Sequence, residues 1–162
     1  MTTATPPTRV FDTSAVLAYL NSEVGWDVVA AILANATNVC AIHSVNLCEV
    51  WHITRQSQDE PTTDHVISTI RQLSIVEYSD IDPPFWKEVG KLRHFFRTMS
   101  VNVPLMDCFA MALAARYSVP VVVADHGDFD LAQKQNVCQV VFIRVSISQG
   151  LDPTQFAKAI QP

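Results

Sequence analysis

The chain has 162 residues, 49 % of them hydrophobic and 17 % charged. This balance excludes a disordered polymer and suits a single domain with a full core. A formal net charge of −5 argues against a broad nucleic-acid-coating surface, yet it is compatible with an acidic catalytic centre masked by metal.

No apolar run approaches the roughly 18 residues of a membrane span. The opening MTTATPPT lacks the basic-then-apolar layout of a signal peptide, so a cytoplasmic, membrane-free protein is expected. Cys40, Cys48, Cys108 and Cys138 lie scattered in apolar contexts with no CxxC pair, which predicts buried free thiols and neither a zinc site nor a disulfide. Residues 1–8 are expected to form a disordered tail.

Arg9-Val10-Phe11 reads as a short strand ending on Asp12, and Thr13-Ser14 then open a helix over Ala15 to Leu20. At that position Asp12 is either a helix N-cap or a functional carboxylate at a strand end. A second helix spans Gly25 to Asn35, with Val28, Val29, Ile32 and Leu33 at helical spacing. Val39 to Ile42 is a candidate strand. Ser44 caps the next helix, Val45 to about Gln56, which buries Leu47, Val50, Trp51 and Thr54 on one face. Glu49 borders that face. It either pairs with Arg55 or serves as a metal ligand oriented by Asn46.

The polar stretch Gln56 to Thr63 reads as a loop, with Pro61 opening a helix over Asp64 to Leu73. Ile75 to Tyr78 follows as a strand. Phe85 to Met99 is amphipathic: Phe85, Val89, Leu92, Phe96 and Met99 gather on one side, while Lys87, Lys91, Arg93, His94 and Arg97 spread over the other. A charged helix face is either simply solvated or, in this acidic chain, a local grip for phosphates through Lys87, Lys91 and Arg97.

Leu105 to Ala115 is apolar on every side and therefore reads as a buried helix. Asp107 is its lone charge before Arg116. A buried carboxylate costs several kcal/mol unless it is neutralised or ligated, so Asp107 is a helix cap or, preferentially, a ligand. Val121-Val122-Val123-Ala124 then forms a strand ending on Asp125, with Asp128 and Asp130 beyond a turn at Gly127. Like charges crowded at a strand end raise one another's pKa, a cost that a divalent cation removes. His126 adjoins Asp125 but points away from it on an extended segment. Val140 to Ile143 is the last strand, and Asp152-Pro153 opens a short terminal helix to Ile160.

Strands and helices alternate throughout, which predicts an α/β fold with a mostly parallel central sheet between two helical layers. Four stretches in this order, FDTSAVLAYL, SVNLCEVWHI, LMDCFAMALAARY and VVVADHGDFD, resemble the PIN domain and, within it, the VapC-like toxin ribonucleases. The resemblance covers roughly Val10 to Ile143. It implies a three-layer α/β/α PIN-like domain over 9–145, followed by a C-terminal extension over 146–162. It carries the family's four catalytic acids onto Asp12, Glu49, Asp107 and Asp125, with Asp128 as a fifth metal ligand, and the supporting polar positions onto Ser14 and Asn46. One departure is Val123, where such domains often carry Thr or Ser.

The resemblance further implies RNA as substrate, Mg²⁺ or Mn²⁺ as cofactor, an antitoxin partner and a homodimer. Oxygen ligands without thiolate or imidazole suit those hard cations, which activate water for phosphodiester hydrolysis without a covalent nucleophile. Two other readings differ in class. A PIN fold retained as a silent protein- or RNA-binding module would lack metal affinity. A haloacid-dehalogenase-like phosphatase would need a second Asp two residues after Asp12, where Ser14 stands.

Overall fold

A computed structural model of the protein describes residues 5–144. Five strands, β1 (Arg9–Phe11), β2 (Cys40–His43), β3 (Val76–Tyr78), β4 (Val121–Val123) and β5 (Val140–Phe142), make one sheet in the order β3-β2-β1-β4-β5. Every neighbouring pair is parallel, so the sheet is parallel throughout. Between the strands lie α1 (Thr13–Leu20), α2 (Trp26–Ala34), α3 (Ser44–Arg55), α4 (Glu60–Gln72), α5 (Pro83–Thr98), α6 (Leu105–Tyr117) and α7 (Gly127–Lys134).

Alternation along the short strands divides the core in two. Val10, Val121 and Val123 enter one cluster with Phe85, Phe96 and Met111 from α5 and α6. Phe11, Val122 and Ala124 enter the other with Val16, Val29, Val50 and Ile70 from α1 to α4. The result is the expected three-layer α/β/α arrangement. In α6, seven consecutive residues from Cys108 to Ala114 are buried, and its alanines allow the helix to lie close to its neighbours.

The sheet grows from β1 to β2 to β3 on one side, then the chain returns to place β4 on the other side of β1. The topological switch point therefore lies between the carboxyl ends of β1 and β4, where open α/β sheets bind ligands. Asp12 follows β1 directly, and its backbone nitrogen donates to the Val122 carbonyl at 3.0 Å. Asp125 lies two residues beyond β4.

Several local expectations need correction. The N-cap of α3 is His43, not Ser44: β2 runs straight into the helix, and His43 Nδ1 accepts the Val45 N–H at 3.1 Å. Trp51 and Thr54 are only half-buried, because the inner face of α3 is set by Asn46, Leu47 and Val50; Trp51 Nε1 instead donates to Asp64 at 2.9 Å. α4 starts at Glu60 on an Asp59 cap, with Pro61 inside its first turn. Arg93 is half-buried, unlike Lys87, Lys91 and Arg97 on the exposed face of α5. Cys48 is exposed, whereas Cys40 and Cys108 are buried.

The stretch after Asp125 holds a helix, α7, where only a turn was expected; burial of Phe129 and Ala132 secures this short segment despite its weak helical signal. In the N-terminal segment Pro7 is buried and Thr8 N–H donates to the Val39 carbonyl at 2.8 Å. The expected helix from Asp152 to Ile160 lies outside the described residues. Among those described, no helix is long and apolar enough to cross a membrane.

Candidate active site

Asp12 is both a helix cap and a member of the site. Its Oδ2 accepts the backbone N–H of Ser14 at 2.9 Å and the Ser14 hydroxyl at 2.7 Å, which anchors the start of α1. The same Ser14 oxygen accepts the Ala124 N–H at 3.0 Å, tying the end of β4 to the end of β1. Oδ1 of Asp12 receives the Asn46 side-chain amide at 3.4 Å. Asp12 is 4 % exposed, and burial raises its carboxyl to about 6 even though the Ser14 hydrogen bonds favour ionisation.

Asn46 is fully buried on the inner face of α3. Its amide nitrogen also contacts Thr13 Oγ1 at 3.3 Å and the Met106 carbonyl at 3.2 Å. It thus connects the start of α1 to the start of α6, one residue before Asp107. The sequence predicts that Asn46 orients Glu49; the carboxylate it holds is instead that of Asp12. Nor does Glu49 pair with Arg55, whose guanidinium donates to the Gln58 carbonyl at 2.9 Å.

Asp107 occupies the first turn of α6, whose N-cap is Pro104, and makes no side-chain capping hydrogen bond. The positive end of a helix favours a carboxylate by about 0.3–1 kcal/mol. That is too little here. Burial, followed by the charges of Asp12, Glu49, Asp128 and Asp125, lifts Asp107 to about 8. Asp107 is therefore where the charges of the other four acids add to the cost of burial.

The five do not share one environment. A cleft of about 150 Å³ is lined by Asp12, Glu49, Asp107 and Asp125, with Ser14 and Phe129 among its walls. Asp128 does not line that cleft; its carboxyl is raised by burial. Asp125 stands at the mouth with its side chain 75 % exposed, 3.6 Å from Arg144 Nη1. Asp130 turns away and meets His126 Nδ1 at 3.3 Å. His126 serves the scaffold, stacked on Phe142 at 4.2 Å and bonded through Nε2 to the Arg144 carbonyl at 2.8 Å. Val123 is buried in the core, and the hydroxyl at this strand end is supplied by Ser14.

The donor set fits a hard divalent cation. All of its side-chain donors are oxygens, burial and then the neighbouring carboxylates raise Asp107 to about 8, and buried Asn46 Oδ1 has no hydrogen-bond partner among the described residues. The carboxylates surround the cleft without closing on one point: among the described residues, no three His, Cys, Asp or Glu side chains stand as a ready-made metal cage.

Lys87, Lys91 and Arg97 do not line this cleft. Lys87 lies over the Trp86 ring at 5.5 Å, Lys91 borders a groove between α5 and α6, and Arg97 contacts Asn102 at 3.4 Å. Sequence reasoning missed Arg144 altogether, since a lone basic residue after the last strand gives no periodic or motif signal.

The PIN domain family model matches residues 9–134. This chain is a member of the PIN domain family. Its fold is similar to that in the DNA-bound VapBC complex from Salmonella typhimurium, with a TM-score of 0.65, 14% identity and coverage of 85% of this chain and 99% of that one. It is also similar to VapBC2 from Rickettsia felis bound to a promoter DNA fragment (TM-score 0.64, 14% identity, 83% and 97% coverage). VapBC-1 from nontypeable Haemophilus influenzae gives a TM-score of 0.64 at 12% identity, with the same coverage of 83% and 97%. No curated protein matches the chain. At these identities the structural neighbours establish the PIN fold, and Asp12, Glu49, Asp107 and Asp125 line its switch-point cleft.

Proposed function

We propose that this PIN domain is a Mg²⁺- or Mn²⁺-dependent endoribonuclease and the toxin of a toxin–antitoxin pair. The observation that carries the proposal is Asp107: a half-buried acid that lines one cleft with Asp12, Glu49 and Asp125, and whose carboxyl is raised to about 8 by desolvation and by the charges of those acids and Asp128, belongs to a site arranged for a cation. Asp12, Glu49, Asp107 and Asp125 would hold the metal, with Asp128 as a further ligand from α7. When bound, such an ion supplies a lowered pKa for attacking water and polarisation of the scissile phosphate.

The chain's own residues prepare that chemistry. Ser14 and Asn46 restrain Asp12 from two sides, so its carboxylate keeps one orientation. Phe129 walls the cleft beside the acids and limits water on that side. Lys87, Lys91 and Arg97 would add phosphate contacts outside the cleft. Likeness to VapBC complexes supports an antitoxin partner, and the acidic mouth suits a guanidinium from such a partner; a homodimer belongs to the same proposal.

The deciding experiment is cleavage of single-stranded RNA by purified protein with Mn²⁺, with Mg²⁺ and with EDTA. Cleavage restricted to the metal conditions and absent in Asp107→Asn is expected. Metal-independent cutting, or equal cutting by the variant, would overturn the reading. Growth arrest on expression, relieved by the product of a neighbouring gene, tests the toxin role.

A further inference from the structure

Arg144 is held more firmly than an ordinary surface arginine. Its backbone carbonyl accepts His126 Nε2 at 2.8 Å, and the His126 ring is stacked on Phe142, 4.2 Å away and 5° from parallel. Its guanidinium donates from Nε to the Val24 carbonyl at 3.0 Å and from Nη2 to Glu23. The turn that presents Glu23 and Val24 lies against the backbone just before Arg144. Gly25 has φ +91°, and a Cβ there would fall 2.4 Å from the Ile143 carbonyl oxygen. Only glycine allows that approach.

These contacts use Nε and Nη2 and leave Nη1 directed at the acid site. Its charge partner among the described residues is Asp125 Oδ1 at 3.6 Å, beyond good hydrogen-bond distance. A second hollow of about 160 Å³, lined by Glu23, Asp125 and Arg144, shares Ser14, Leu17, Ile53 and Asp125 with the acid cleft. Among the described residues lining the two hollows, Arg144 is the only cation. A planar donor group, fixed on one edge and open on the other beside a cluster of carboxylates, matches an anion that must approach those carboxylates. On a nuclease site that anion is a phosphodiester.

We propose that Arg144 is a substrate-binding residue whose Nη1 grips a non-bridging oxygen of the RNA backbone at the mouth of the acid cleft. The proposal rests on the nuclease reading. Glu23 and His126 act as positioning residues, because each holds Arg144 without reaching the acids. The grip is a ground-state contact that orients the strand, so its loss is expected in KM and binding more than in kcat.

The test compares wild type, Arg144→Ala, Arg144→Lys and Glu23→Gln. One arm measures cleavage of a short single-stranded RNA with Mn²⁺; the other measures binding of the same RNA in the Asp107→Asn background over a range of salt concentrations. Arg144→Ala is expected to raise KM and Kd by about tenfold, the loss of one charge-assisted hydrogen bond, and to lower the salt slope by about one. Arg144→Lys should recover part of the affinity as a point charge, and Glu23→Gln should lie between Lys and wild type.

Unchanged Kd and salt slope in an Arg144→Ala protein that cuts RNA normally would overturn this proposal alone. Faster cleavage or tighter Mn²⁺ binding by Arg144→Ala would also overturn it, since Arg144 would then be restraining Asp125 instead of binding substrate. A wild type that neither binds nor cuts RNA with Mn²⁺ brings down the nuclease reading and this inference with it.

Discussion

The Ser14 hydroxyl donates to Asp12 Oδ2 at 2.7 Å while its oxygen accepts the Ala124 N–H at 3.0 Å. One side chain therefore sets the orientation of the first acid and the exit of the strand that carries Asp125. Ser14→Ala removes both bonds and leaves a partly buried N–H unpaired. Such a loss costs about 1–3 kcal/mol in stability. Mn²⁺-dependent RNA cleavage is expected to fall at least tenfold by analogy with other losses of metal-site support. A variant with wild-type cleavage would show that Asp12 keeps its orientation without Ser14.

Asp107→Asn replaces the ionisable group at the centre of the acid field with a neutral amide of the same shape. Metal-free, the variant is expected to melt at or above the wild-type temperature, because burial and repulsion penalise the native carboxylate. RNA cleavage is expected to disappear. Mn²⁺ should raise the wild-type melting temperature by mass action and raise that of the variant less. A variant that cleaves normally would return Asp107 to a purely structural role.

The raised acids set a pH dependence with a definite sign. Asp12 moves from 3.8 to about 6 and Asp107 from 3.8 to about 8, so between 3.8 and those values the native state binds more protons than the unfolded chain. Stability of the metal-free protein must then increase as pH falls, first through Asp107 and then through Asp12. His43 works in the opposite direction. Its burial between Phe85 and Phe109 lowers its pKa, so acidification below 6.5 favours the unfolded state. The melting temperature is expected to rise between pH about 8 and about 6.5, to gain less between about 6.5 and 6 where His43 opposes Asp107, and to rise again below about 6 as Asp12 takes up its proton. Asp107→Asn should flatten the first interval. A wild-type melting temperature that fell across it would contradict the charge assignment.

Gly25→Ala tests the close contact under the site mouth. With φ +91° and the Ile143 carbonyl 2.4 Å from the added Cβ, both strain and collision oppose the side chain. A loss of about 1–3 kcal/mol is expected from the backbone conformation alone. Thermal melting reads it directly, and an unchanged melting temperature would mean that the α1–α2 turn moves freely away from Ile143.

Lys87, Lys91 and Arg97 lie on the exposed face of α5, away from the cleft lining. Replacing all three with Ala is expected to weaken RNA binding and reduce its salt slope by up to about three, with little change in melting temperature. Unchanged affinity would make this face solvated surface only.

Much of the architecture was legible because it depends on short-range pattern. Runs such as Val121–Val123 read as buried strands, the apolar Leu105–Ala115 stretch read as a core helix, and Asp12 and Asp125 fell at strand ends. Helix boundaries were less legible. This chain has 4 glycines, and Ser22, Ser74, Ser100, Ser118 and Asn136 take positive φ at its turns, so the usual glycine stop signal is mostly absent. α7 was hidden for a related reason: its weak helical signal is outweighed by burial of Phe129 and Ala132, which no local window contains.

The sequence by itself determined which acids stand at the ends of buried elements, since a carboxylate next to an apolar run has few places to go. Only the tertiary structure decided how those acids act on one another. The reversal of sheet order beside β1 brings residues 12 and 125 to one switch point, and Asn46 bridges Asp12 to the start of α6 beside Asp107. Electrostatic coupling depends on distance and burial, neither of which is a property of spacing along the chain. The same holds for Arg144, whose placement depends on Glu23 and Val24 brought to it across the fold and on a glycine that permits their approach.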